Sequence, residues 1–320
     1  KHGAAEADGI LFSDPDEAWY MEIGSGHHWV AQRIPDDSYA VVANQLAIQA
    51  VVFDGNDFMY SKDLKDFVYQ NQLWPKDAVF NWREIFGTHD DSDLHYNTPR
   101  VWIGQKLLTP SVEQEPQDFD LPFIRKPDKP ISIQDAQAVL SNHYQNTPYD
   151  LTNPKNKNNA TFRPISVATT QESHLLELNG ENMIHWLSMG IAAQSVYVPF
   201  YPQGTKVPTM YKYGKETYST NSAYWVFKLA STLADRDWNK YGTDLSNAQD
   251  EAREKTTRLR YEYDQKLAKE SDPAKRIDLV NEANEKMAKT ATDIFKELSA
   301  KLITKQTGDS PLRFKMDPNL

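Results

Sequence analysis

Cysteine is absent from the 320 residues, so neither a disulfide nor a thiolate metal site can form within this chain. Positive charge is in deficit: 35 Lys and Arg stand against 45 Asp and Glu, a formal net charge of −10. A phosphate-binding surface needs concentrated Lys and Arg, so nucleic acid is excluded as an expected partner. Long apolar runs are missing too. None approaches the roughly 20 residues that span a bilayer, so no membrane partner is expected. The serine-hydrolase elbow is also lacking. Gly24-Ser25-Gly26 is not Gly-x-Ser-x-Gly, and no helix follows it as that motif requires, so Ser25 reads as a turn residue. A lack of cysteine does not fix the compartment. The cytoplasm is the expectation, with secretion left open because no residue before Lys1 is in view.

What is present is a globular composition, 39% hydrophobic and 25% charged, long enough for two or so domains. The stretch Ala7–Leu46 organises the rest. It breaks into four runs rich in branched and aromatic residues, Gly9–Ser13, Ala18–Gly24, His28–Ile34 and Tyr39–Leu46. Asp14-Pro15-Asp16, Gly24-Ser25-Gly26 and Pro35-Asp36-Asp37 separate them, and Pro, Asp and Gly are turn chemistry. An antiparallel meander is predicted. In the fourth run both period-two faces are largely apolar, so that strand is expected to be covered on both sides. Asn44 then places an amide on a greasy face. Burying it without partners costs about 1–3 kcal/mol, so it is either bonded structurally or held for another purpose.

Helical spacing recurs further on. It predicts helices over Ser61–Leu73 with Ser61 as N-cap, over Phe80–Phe86, and over Ser132–Gln145 with a Ser132/Asp135 capping box; Pro99–Leu108 is a further candidate element. Glu113–Pro130 and Asn146–Asn159 read as loops. Strand-like runs return at Ile165–Thr169, Ser173–Leu178, Met183–Met189 and Ser195–Tyr201, expected to complete the first sheet system. A helix is predicted over Asn221–Trp238. Two longer ones, Leu245–Lys269 and Pro273–Gln306, read as a hairpin with Asp272 as N-cap and Pro273 at the first helical position. Their seam serves either the core or a subunit contact, so a homo-oligomer stays open. Thr307–Leu320 reads as a tail.

The candidate constellations are sparse. His89-Asp90-Asp91-Ser92-Asp93-Leu94-His95 offers hard acids and imidazoles, but Tyr96 stands where a Ca²⁺ loop needs glycine and no Glu closes it. A solvated acidic loop is the expectation, with no metal. His27 and His28 face opposite sides if extended. Glu22 and Glu172 read as exposed sheet residues, and Arg163 as half of a surface salt bridge.

The run DPDEAWYMEIGSGHHWVAQRIPDDSYAVVANQL, followed by FRPISVATTQESHLLEL (Phe162–Leu178), YVPFYPQG (Tyr197–Gly204) and NSAYWVFKL (Asn221–Leu229), resembles the cysteine-nucleophile dipeptidases of the N-terminal nucleophile (Ntn) hydrolase superfamily. The blocks occur in family order. One departure is large: the family attacks with a cysteine at its mature N-terminus, and this chain has none. The resemblance therefore implies the C-terminal portion of a longer enzyme, with the nucleophile, and an Arg and Asp that follow it, on an absent N-terminal segment.

The implied fold is α+β, a four-layer αββα sandwich of two antiparallel sheets with a helical insertion and a C-terminal helical hairpin. Residues 1–60 would be core strands, 61–150 a helical and loop excursion, 151–238 a return to core strands plus a helix, and 239–320 long helices and tail. The implied chemistry is hydrolysis of short peptides through an acyl-enzyme, with no cofactor. Asn44 in VVANQL matches the superfamily's oxyanion asparagine, and Arg163 is the candidate for its downstream active-site arginine. His27, His28 and His174 lie in matching blocks and are carried as substrate-binding candidates. A different class of reading is a non-catalytic peptide- or carbohydrate-binding module, since aromatics reach 12% with eight Trp; core packing is the plainer account of those rings.

Overall fold

Turn chemistry and alternation do bring the first strands together. The computed structural model describes residues 8–24, 26–88, 90–153, 155–158, 161–178 and 183–310. The chain divides into two units, Lys1–Ile165 and Ser166–Leu320. It is a mixed α/β protein with antiparallel sheets and a helical C-terminal region.

In the first unit β1 (Asp8–Ser13), β2 (Ala18–Ile23) and β3 (Trp29–Ile34) form an antiparallel meander, with Trp19 between Phe12 and Arg33. Asp14 closes the first turn by accepting the N–H groups of Asp16 at 2.8 Å and Glu17 at 2.9 Å. The fourth run departs from expectation. Only Tyr39–Ala40 is extended, as β4; β5 (Phe58–Tyr60) takes the place beside β3, and β4 pairs instead with β6 (Ile124–Arg125) in a separate two-stranded sheet.

The reason lies in where the backbone N–H groups of residues 41–48 go. Asn44 N–H donates to Asn97 Oδ1 at 3.0 Å, and those of Ala47 and Ile48 donate to the Glu22 carboxylate at 2.7 and 3.1 Å. Side chains replace the ladder. Glu22, expected on an exposed face, is 1% exposed.

The same segment joins two apolar clusters. Val41 and Ala43 pack against Val101, Trp102, Ile103, Leu121, Tyr144 and Phe162, whereas Leu46, Ala47 and Ile48 are buried with Val30, Leu64, Val68 and Trp82. Full burial of such a side chain contributes about 1.5–3 kcal/mol. Asn44, between the two groups, is exposed and lies off any strand. The expectation of an amide buried on a strand face is corrected accordingly.

Helices α1 (Leu64–Gln70), α2 (Trp82–Phe86), α3 (Asp93–Tyr96), α4 (Thr98–Leu108) and α5 (Ile133–Leu140) complete this unit. Asp63, not Ser61, occupies the N-cap of α1. The Ser132/Asp135 capping box is present in both directions. Gly104 on α4 lets the chain approach closely, because a Cβ there would sit 2.8 Å from Val41 Cγ1.

In the second unit β7 (Glu172–Glu177), β8 (Ile184–Met189) and β9 (Val198–Phe200) pair in an antiparallel sheet of their own, not as an extension of the first. Ile165–Thr169 is not a strand. Helices α6 (Ala223–Asp235), α7 (Trp238–Leu267) and α8 (Pro273–Gly308) follow, with Asp272 capping α8 through the Ala274 N–H at 2.9 Å. The hairpin seam is core. Leu245, Ala248, Ala252, Tyr263 and Leu267 of α7 and Val280, Met287, Ala291, Ile294, Leu298 and Leu302 of α8 are buried, though Ile277 stays exposed. Asp244 on α7 receives Lys301 at 2.8 Å and Lys305 at 2.6 Å from α8. Thr307 and Gly308 belong to α8, and residues 311–320 of the expected tail lie outside the described residues. Among the described residues no helix is long and apolar enough to cross a membrane.

Candidate active site

Asp93, Tyr96, Asn97 and Arg100 recur at spacings of three and four, so consecutive turns through α3 and α4 place them on one face. Asp93 is 6% and Asn97 5% exposed. Asp93 is thus not part of a solvated acidic loop: its carboxylate accepts the Asn97 side-chain N–H. That bond orients the amide and leaves Asn97 Oδ1 as an acceptor. The oxygen takes the Asn44 backbone N–H at 3.0 Å and Arg100 Nη2 at 2.6 Å. Arg100 Nε donates to the carbonyl of Tyr96 at 2.6 Å.

Arg163 arrives from the other end of the unit. Its backbone N–H donates to the carbonyl of His95 at 2.9 Å, and its own carbonyl accepts the hydroxyl of fully buried Tyr144 at 2.8 Å. Its guanidinium lies 4.3 Å from the centre of the Tyr96 ring, and that of Arg100 lies 4.9 Å from the same centre. Such contacts are the cation–π kind. Nε of Arg163 is buried and has no hydrogen-bond partner among the described residues. No carboxylate pairs with Arg163 there either, so the expected surface salt bridge is not what holds it. Burial, and then the charge of Arg163, push the Arg100 guanidinium below its ordinary value. Two cations therefore face one tyrosine, while the nearby Asp93 is engaged by Asn97.

Glu22 acts on the same segment from below. Burial pushes its carboxyl up to about 7, against the two N–H donors of Ala47 and Ile48 that hold it down.

With this geometry in hand, comparison with known proteins places the chain. The model of peptidase family C69 matches residues 1–251. The chain belongs to that family. This C69 member is 37% identical to a probable dipeptidase of Latilactobacillus sakei, with all of the chain and 68% of that protein covered. It is 36% identical to probable dipeptidase A of Streptococcus pyogenes serotype M18 (strain MGAS8232), with 90% of the chain and 62% of the relative covered. Dipeptidase A of Lactobacillus helveticus is 32% identical over 99% of the chain and 68% of its own length. The chain thus spans roughly two thirds of the relatives it matches.

The structure brings Asn44 and Arg163 to one cluster through Asn97, Arg100 and Tyr96. The histidines are elsewhere or differently employed. His27 is an exposed turn residue between β2 and β3. His28 is buried, its ring 4.1 Å from that of Phe67 and its Nδ1 3.7 Å from Asp63 Oδ1. His174 belongs to the second unit, exposed on β7, with Nδ1 2.6 Å from Glu172 Oε1. Ser25 and His89 lie outside the described residues, and no group of three or more His, Cys, Asp and Glu among those described could hold a metal ion. Sequence reasoning missed Tyr96, Asn97 and Arg100. Their signal was a polar stripe at helical spacing directly before the apolar Val101-Trp102-Ile103.

Proposed function

We propose that this C69 member forms the oxyanion and substrate side of a dipeptide hydrolase whose attacking group is a cysteine outside these 320 residues. The chain's lack of cysteine and the greater length of its relatives support a nucleophile supplied from elsewhere. The relatives' names support a peptide substrate. In the Ntn type of chemistry the freed α-amino group, with an ordinary pKa of about 8, accepts the thiol proton. The thiolate attacks the peptide carbonyl, the amine leaves, and water resolves the acyl-enzyme. Asn44 donates its amide N–H to the tetrahedral oxyanion, and Arg163 supplies positive charge beside it. In this reading the sheets belong to an αββα four-layer sandwich, and no cofactor or metal takes part.

One observation supports the proposal: the Asn44 backbone is tied to Asn97 and the Arg163 guanidinium lies over neighbouring Tyr96, with Arg100 linking the two and Asn44 exposed. An exposed amide on an anchored backbone can reach a substrate. The test is Asn44→Ala in the full-length protein. Loss of one oxyanion donor lowers turnover about 100- to 1000-fold, with melting little changed. The 320-residue chain alone is expected to be inactive on a dipeptide panel. Turnover by that chain, insensitive to thiol-blocking reagents, would end the proposal.

A further inference from the structure

Two guanidinium groups share one aromatic plate next to Asn44, and nothing in the oxyanion chemistry requires the second. Arg100 spends its hydrogen bonds on neutral acceptors, the Tyr96 carbonyl and Asn97 Oδ1. Asp93 is held by Asn97, and its one negative charge is shared between Arg83 and Arg100. Arg163 keeps a buried Nε without a hydrogen-bond partner among the described residues. The charge of Arg163 disfavours the Arg100 cation, and the single shared charge of Asp93 leaves this partly desolvated group net positive, a setting that an anion would complete. Tyr96 is 37% exposed, so the plate is open to a ligand.

We infer that Arg100 and Arg163, over Tyr96, form a carboxylate subsite that receives the free C-terminal carboxylate of a dipeptide. This deepens the dipeptidase reading and rests on it. A planar guanidinium matches a carboxylate in a way an ammonium does not, because paired N–H donors meet paired oxygens. The subsite would also account for a preference for short substrates. A carboxylate beside Asn44 lies one residue beyond the scissile carbonyl, and a longer peptide would put a neutral amide there. The same chemistry could be met by a second source, an acidic side chain of the protein itself from outside these residues.

The experiment compares alanylalanine with alanylalanine amide in the full-length protein, wild type, Arg100→Met and Arg100→Lys, with melting curves for each. A titration of the 320-residue chain with the same two compounds runs beside it and needs no turnover. The expected result is a preference for the free carboxylate of about 30-fold or more in kcat/KM, the scale of a buried charge-assisted contact. The preference falls below about threefold in Arg100→Met, mainly through KM, and is partly retained in Arg100→Lys. Equal use of both compounds by the wild type, with Arg100→Met impairing both alike, assigns the carboxylate to the protein and overturns the substrate assignment. Variants that match the wild type on both compounds overturn the subsite altogether. If neither compound is cleaved but titration still favours the acid, the dipeptidase reading fails while the subsite stands; no turnover of either compound together with no discrimination in the titration rejects both.

Discussion

Asn97 holds Asn44 by its backbone: one side-chain oxygen takes the Asn44 N–H at 3.0 Å and Arg100 Nη2 at 2.6 Å. Asn97→Ala leaves both donors, and the Asp93 carboxylate, without that partner. Asn44 is exposed, so water can satisfy its N–H, and the stability loss is expected at about 1–2 kcal/mol. Turnover of the full-length protein should fall further than this, because a displacement near 1 Å at a reacting group can cost about 100-fold. Urea unfolding and kcat measured on the same preparations separate the two effects. A fall in stability with unchanged kcat would mean that Asn97 does not position Asn44.

Glu22 gives a pH signature. Its carboxyl sits near 7 in the folded chain because burial outweighs the Ala47 and Ile48 N–H donors and the Arg83 charge; its ordinary value is 4.5. Tyr20 also senses the carboxylate, through its charge. Between about 4.5 and 7 the native state holds more protons than the unfolded state, so this group's contribution to stability falls as pH rises. The full span is on the order of 3 kcal/mol at about 1.4 per pKa unit. Urea unfolding from pH 5 to 8 should show that decline in the wild type and a flatter curve in Glu22→Gln. Parallel curves would mean Glu22 does not titrate in this interval.

Local chemistry was legible in the sequence and long-range partners were not. The Ser132/Asp135 box and the Asp272 cap depend on residues two or three apart, and both formed as predicted. The α7–α8 seam was legible because periodicity alone defines a helix face. Residues 41–48 alternate like a covered strand, but their N–H groups find acceptors on Glu22 and Asn97, 25 and 53 residues away. No local pattern encodes those acceptors. For the site, Asn44 and Arg163 came from the family resemblance, whereas Arg100 escaped notice because a cation in a short helix usually faces water.

Asn284 tests the second unit. Its buried amide accepts the Tyr201 N–H at 2.8 Å and donates to the Tyr201 carbonyl at 2.9 Å, tying α8 to the end of β9. Asn284→Leu fits the seam by size yet leaves both backbone groups unpaired in the interior. Each such group costs about 1–3 kcal/mol, so a loss of about 2–5 kcal/mol is expected. Thermal or urea unfolding measures it. A neutral result would require that water reach Tyr201 in the variant.

Gly104 sets two known tendencies against each other. Replacing a helical glycine by alanine favours the helix by about 1 kcal/mol. At this position, however, the new methyl would lie 2.8 and 3.0 Å from the two γ-carbons of Val41. Val41 is β-branched and stiff at χ1, so relief requires its backbone to move rather than its side-chain tip. Overpacking of this kind costs about 1–3 kcal/mol, so Gly104→Ala is expected to be destabilising on balance. Because Val41 leads directly into Asn44, the displacement should reach the site. The full-length variant should lose turnover by a larger factor than its loss of folded protein explains, and Val41→Ala in the same background should restore part of it by making room. A double-mutant cycle in kcat and in urea midpoint reads both. Stabilisation by Gly104→Ala alone would show that the approach of residue 41 to α4 has slack, and would remove that helix as a support of Asn44.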